Sequence, residues 1–437
     1  MEGFPNELVD CILDNLYFDT ATLLNCALVG RSWVRSAQRG IFRELILEMP
    51  DRYNGAYEAT TWRFLDKINS LAVVLTEKPS LASYIRYLEL RRASIGNWVV
   101  LLALFDLWTT LVEGLSNVKQ ILFCRVSWDG LPAPFKKAMA DLFRTPSLTH
   151  VSLTEFTIHG YAELTSFLSH ATRLKVLAAC KVTLENRSKY PTPEGTTPRS
   201  IRLDELEFTN DSHLLMDWFQ QDSCPFEIRD LQVLRLDRFP HANYRRLPVS
   251  SLRAFFPEFA EMLRPVQYVG KTLSELWLLH YGRGRFVDSN CFFISLIFKF
   301  HLSFLDSNNY LEYTPNLRTL HLNLWQTVSV TAVSIIQALF RPLLDKDGKP
   351  PLQCLRIVLS PSHDDPLDSH GWNSWSAIDA LLEKPEFASL ETLEFNLVRS
   401  IYANQSTPSC VQVKELLIEK FPLLEKSGKL VVQTEDD

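Results

Sequence analysis

The sequence predicts an α/β solenoid: an amino-terminal three-helix module followed by an irregular array of short strands, forming a curved, mainly parallel sheet with helices outside. Two observations lead there. A six-residue pattern, apolar-x-x-apolar-x-apolar, recurs ten times between Ile85 and Phe395. Most instances are followed by a stretch of helical period, and one such unit cannot bury its own apolar face, so neighbours must stack. The first fifty or so residues read differently, as three short helices.

The helices come first. Pro5 suits a helix start because its missing N–H has no intrahelical partner there, Glu7 suits the positive helix end, and Leu8, Ile12 and Leu16 recur every fourth residue. Asp19 is an N-cap for a second helix carrying Leu23, Leu24, Ala27 and Leu28. A third helix runs from about Ser32 through Trp33 to Arg39, ahead of Ile41, Phe42 and Leu45. Phe4-Pro5-x-Glu7-Leu8, Ile12, Leu16, Leu23-Leu24, Ala27-Leu28-Val29-x-Arg31-x-Trp33, Ala37, Arg39 and Phe42 together resemble the F-box. Phe4 departs from the usual Leu and Gly30 from a common Cys. The resemblance implies docking onto a Skp1-like adaptor, with Phe4, Pro5, Leu8, Ile12, Leu16, Leu23, Val29 and Trp33 as contact positions. Leu24 and Leu28 are read equally as core or contact. A module this small is marginal alone and needs a partner or a downstream domain over its apolar side.

The repeats follow. The hexamers begin at Ile85, Val118, Leu148, Leu174, Leu203, Leu231, Leu273, Leu317, Leu352 and Leu390, spaced 26 to 44 residues apart. Each reads as a strand with alternate residues inward. Helical periods occupy 135–144, 161–170, 211–220, 251–263 and 328–344, and a last helix at 411–421 precedes a closing strand at 428–432. Residues 185–200 and 360–376 read as loops, the first for its prolines and the second for its Asp, His, Pro and Ser content. The array resembles leucine-rich repeats in the long, irregular form found in F-box proteins, although the Asn that many such repeats place after the strand is mostly missing. The division is residues 1–48 for the F-box, 49–84 for a helical linker or cap, and 85–437 for about ten repeats with a carboxyl-terminal cap.

Composition supports a folded chain and excludes several classes. Of 437 residues, 46% are hydrophobic and 22% charged, ample for a core. A prior of about 150 residues per domain implies three domains, whereas repeats make length a matter of repeat number. Glycine, at 15, is half of what average usage of about 7% gives, which disfavours glycine-rich phosphate loops. With 45 basic against 51 acidic residues the net charge is -6, and nothing global attracts nucleic acid or a membrane surface. The apolar stretches 98–115 and 291–305 contain charges or fall short of a span, and no signal peptide opens the chain, so a cytoplasmic or nuclear location is expected. Eight scattered cysteines without a C-x-x-C pair read as reduced, mostly buried thiols.

No catalytic, metal or cofactor site is expected. Gly270-Lys271-Thr272 imitates the end of a phosphate loop, but Pro265 stands where its first glycine belongs and a strand follows. His363, Asp364, Asp365, Asp368 and His370 have metal-ligand chemistry, and a solvated loop explains them more simply. Positions three, five and seven of each repeat face the concave side, which exposes Arg235, Trp277, His321 and Arg356 for substrate binding. Arg245, Arg246, Arg283 and Arg285 fall just past two adjacent strands. They form either an anion-binding rim for an acidic or phosphorylated segment or four solvated loop arginines. The resemblance implies a substrate-recognition subunit of an SCF-type E3 ubiquitin ligase, linked through Skp1 to a cullin-RING core. A non-ligase scaffold bound to Skp1, a repeat scaffold without a ligase role and an enzyme built on a solenoid are the other readings.

Overall fold

The computed structural model describes residues 5–17, 19–49, 57–93, 98–186, 201–209, 215, 218–219, 224–238, 266, 269–280, 310–324, 329–344, 351–360, 370–399 and 408–434. The chain divides into two compact units, Met1–Leu203 with Asp217–Glu227, and Asp204–Met216 with Ile228–Asp437.

The first unit opens with α1 (Asn6–Asp14), α2 (Thr20–Val29) and α3 (Arg31–Ile41). Pro5 precedes α1, and the Asp19 carboxylate caps α2 by accepting from the Thr22 amide at 3.0 Å. Val9, Leu13, Leu23 and Ala37 form the centre of the bundle, with Leu16, Cys26, Ala27, Trp33 and Ile41 packed around them. Arg39 reaches Asp10 and Asp14 at 3.3 Å each, tying α3 to α1.

Strand and helix then alternate: β1 (Glu44–Glu48), α4 (Tyr57–Glu77), α5 (Pro79–Ala82), β2 (Tyr87–Arg91), α6 (Trp98–Glu113), β3 (Gln120–Cys124), α7 (Ala133–Phe143), β4 (His150–Thr154), β5 (Thr157–Ile158), α8 (Tyr161–Leu168), β6 (Val176–Cys180), β7 (Thr183–Leu184) and β8 (Ile201–Arg202). The strands β1, β2, β3, β4 and β6 pair in that order, all parallel. Period-two alternation puts Leu88 and Leu90, Ile121 and Phe123, and Val151 and Leu153 into the core. After the strands, Arg92, Arg125, Glu155 and Lys181 adopt left-handed φ of 51° to 58°. The chain then turns into a second small ladder, β5 on β7. The residue after each turn is Ala93, Val126, Phe156 or Val182, all buried, so apolar packing fills these corners in place of an asparagine ladder. Behind them Phe123 meets Trp128, Phe156 and Phe167 edge-on, and Trp128 tilts against Phe167 with ring centroids 4.2 Å apart.

The second unit contains β9 (Glu205–Thr209). Two-residue β10 (Phe226–Glu227) belongs to the first unit and pairs β8. The second unit continues with β11 (Val233–Arg238), β12 (Glu275–His280), β13 (Thr319–Asn323), β14 (Cys354–Leu359), β15 (Thr392–Leu397) and β16 (Leu430–Thr434). These strands pair parallel in sequence order. Helices Ser329–Leu344, Ser376–Leu382, Cys410–Lys420 and Pro422–Lys426 accompany them. Buried Asp379 accepts from the Leu423 and Leu424 amides at 3.0 Å each, satisfying the start of the last helix.

The architecture is the expected one: a three-helix unit, then parallel strands stacked in chain order and flanked by helices. All ten hexamers contain a strand. The expected helices at 135–144, 161–170, 328–344 and 411–421 form within a few residues of those bounds, and the closing strand lies at Leu430–Thr434. Residues 251–263 and 291–305, nearly all of 211–220, and 187–200 of the first loop lie outside the described residues.

Three expectations need correction. The stretch assigned to the F-box ends in a sheet strand, β1, whose Phe42, Leu45 and Leu47 repeat the hexamer pattern. Part of the expected loop 360–376 is helical at His370–Asn373, because Trp372 and Trp375 are buried and anchor it. Among the described cysteines, all free thiols, only Cys224 is buried; Cys11 is exposed and the rest are intermediate. Among the described residues, no helix is long and apolar enough to cross a membrane.

Candidate functional site

Two surfaces collect the residues singled out from the sequence. On the three-helix unit, α1 has two apolar stripes. Val9 and Leu13 face inward at 0% and 1% exposure, while Leu8 and Ile12, one turn apart, are exposed at 50% and 42%. On α2, Leu24 and Leu28 form a second exposed pair at 54% and 85%, followed by Val29 at 69%. Pro5 is exposed, and Leu16 and Trp33 are half-buried against the bundle core. Leu23 corrects its assignment as a contact: it is fully buried, and Gly40 lies so close that a Cβ there would meet its side chain at 2.8 Å. Phe4 lies outside the described residues.

The second surface is a row across the second unit's sheet. Parallel pairing aligns Glu207, Arg235, Trp277, His321, Arg356 and Glu394 on successive strands from β9 to β15. The Arg235 guanidinium carbon sits 4.5 Å from the Trp277 ring centroid, and the His321 ring stacks on the same indole at 3.5 Å and 7°. Arg235 Nε is 2.6 Å from Glu205 Oε1, and His321 Nε2 is 3.1 Å from Glu275 Oε1; both contacts are off the hydrogen-bond direction. Arg356 Nε donates to Glu394 Oε2 at 2.6 Å. His321 is only 4% exposed. Burial, joined by Arg356 and Arg235 and opposed by Glu275, pushes its pKa down to about 4, so the imidazole is neutral at pH 7. Burial raises the carboxyl of Glu207 above its ordinary value, against the pull of Arg235.

The structure therefore brings Arg235, Trp277, His321 and Arg356 onto one row, with Arg356 exposed and His321 enclosed. Each arginine of the row already has a carboxylate beside it, so this row is no open anion site. Glu205 and Glu394 were the residues missed; they sit at positions three and five of their own hexamers, where aligning the repeats side by side finds them. Arg245, Arg246, Arg283 and Arg285 lie outside the described residues, as do His363, Asp364, Asp365, Asp368 and the His370 side chain. Among the described residues no group of three His, Cys, Asp or Glu is placed to hold a metal ion. No protein-family model and no curated protein matches the chain.

Proposed function

We propose that this chain is the substrate receptor of an SCF-type E3 ubiquitin ligase, docking a Skp1-like adaptor through α1–α3 and holding a protein substrate on its stacked strands. The single observation that supports this most is the set of exposed apolar side chains Leu8, Ile12, Leu24, Leu28 and Val29 on the unit whose sequence resembles an F-box. A solvated three-helix unit gains nothing by displaying aliphatic i, i+4 pairs, whereas a helical partner gains by covering them. The role is positional. Holding adaptor and substrate on one chain raises the effective concentration of a substrate lysine near a charged conjugating enzyme borne by the cullin-RING core. In this role no residue of this chain serves as nucleophile or base.

Co-expression with Skp1 tests the reading. The expected result is a stable complex that recruits a cullin, and loss of capture in Leu28→Asp with Val29→Asp, which alter exposed side chains and leave the bundle core intact. Hot-spot truncations of this kind reduce affinity by about tenfold or more. A wild-type chain that stays soluble and never associates defeats the reading, as does undiminished capture by the double variant. Capture of Skp1 without any cullin selects the scaffold alternative.

A further inference from the structure

The residue just before each strand of the first unit occupies the same place in every repeat. The Arg86 amide donates to the Arg43 carbonyl at 2.8 Å, Lys119 to Arg86 at 2.8 Å, Thr149 to Lys119 at 2.9 Å and Lys175 to Thr149 at 2.8 Å. This ladder stacks Arg43, Arg86, Lys119, Thr149 and Lys175 along one edge of the sheet, four cations in five positions with no acid among them. Strands lie about 4.8 Å apart, so the stripe runs for about 19 Å.

The fold does not require this chemistry. The equivalent hydrogen-bonded ladder of the second unit carries Asp204, Gln232, Ser274, Arg318, Gln353 and Glu391, with one cation and two acids. Nor do Arg43, Arg86 and Lys119 neutralise buried acids. The Arg43 guanidinium sits 4.1 Å over the Tyr17 ring, and Arg86 donates to the Asn117 carbonyl at 3.0 Å. Among the described residues, no carboxylate holds Arg43, Arg86 or Lys119. Lys119 and Lys175 are exposed. The loops behind the stripe are fixed, since Asn117 donates to the Ser83 carbonyl at 3.1 Å and Ser147 to the Ser116 carbonyl at 3.3 Å.

We infer that this edge of the first unit binds an extended acidic polypeptide segment laid across the strands. An extended peptide advances about 3.3 Å per residue and presents same-face side chains every 6–7 Å or so, so about six residues carrying three carboxylates match the length of the stripe. A nucleic acid strand fits less well. The next positions inward are Glu44, Tyr87, Gln120, His150 and Val176. Only Tyr87 and His150 among them offer flat faces, and they are separated by Gln120 rather than adjacent as successive stacked bases need, while the Tyr87 hydroxyl is tied to Glu89 at 3.1 Å. The chain's net charge of -6 also opposes a polyanion as long as DNA or RNA. Within the proposed receptor role, which this inference deepens, the segment belongs to the substrate.

The test uses the full chain and a fluorescein-labelled peptide of alternating Glu and Ala, read by fluorescence anisotropy. Binding is expected to weaken between about 50 mM and about 300 mM salt, as screening requires. Lys119→Glu with Lys175→Glu is expected to weaken it about tenfold or more, Lys119→Arg with Lys175→Arg to retain it, and Arg318→Glu, the matching position of the second unit, to leave it unchanged. Skp1 capture measured on the same preparations separates the two readings, because the charge reversals leave α1–α3 untouched. The inference is overturned if the wild type ignores the peptide, if the reversals leave affinity unchanged, or if an oligothymidylate of equal charge displaces the peptide at lower concentration.

Discussion

At the scale of single residues, the informative group is His321. Its imidazole is pushed down to about 4 in the folded chain, first by burial, while an unfolded histidine titrates near 6.5. Between those values the unfolded chain binds the proton and the folded one does not. The associated stability is therefore fully present above about pH 6.5 and declines as the pH falls toward 4, by up to about 3 kcal/mol. Other groups lose support in the same direction. Burial pulls the Glu155 carboxyl upward, but Lys181 and Arg125 outweigh it and hold the carboxyl below its ordinary value. Comparison with His321→Phe, which keeps a flat ring on Trp277, isolates the histidine: urea denaturation from pH 7 to pH 4.5 is expected to show a shallower decline in the variant. Parallel declines contradict the assignment. That Trp277 and His321 share a row was legible from hexamer positions alone. What their environment does to them was not, because Glu275 lies 46 residues before His321 in sequence and strand pairing brings it within 3.1 Å.

At the scale of elements, the turns that end the first unit's strands explain how so few glycines suffice. Arg92, Arg125 and Glu155 take left-handed φ, and each amide donates at 2.8 Å to the last carbonyl of the next strand, on Cys124, Thr154 and Cys180. That bond offsets a conformation which costs an L-residue about 1–2 kcal/mol. Arg125→Pro removes the donor and demands a φ near −65°, so it is expected to cost about 3 kcal/mol or more. Arg125→Gly keeps the donor and relaxes the steric cost while adding chain entropy, leaving stability within about 1 kcal/mol of wild type. Thermal unfolding of the pair distinguishes this account from a merely permissive loop, in which both variants melt alike. The strands themselves were legible because the hexamers alternate with period two. The turns were not, since Arg, Glu and Lys carry no left-handed signature, and β1 was passed over because its residues were assigned to the amino-terminal module although Phe42, Leu45 and Leu47 obey the strand pattern.

At the scale of the whole molecule, length measures repeats, and stability in such an array is a sum of nearest-neighbour terms rather than one global number. Among the described residues, the last strand of the second unit pairs with β15 alone; the helix Cys410–Lys420 packs against it, and Pro422–Lys426 follows that helix. Phe421, fully buried between them, lies 5.2 Å from the Phe395 ring and 6.0 Å from Trp375. Truncating it to Ala is expected to cost about 3–5 kcal/mol locally. Because each strand leans on its neighbours, the loss should be greatest at Leu430–Thr434 and Thr392–Leu397 and fade toward Val233–Arg238. Hydrogen exchange read by mass spectrometry, strand by strand, gives that profile directly. Equal deprotection of every strand of the second unit marks it as a single cooperative block, and the nearest-neighbour account fails.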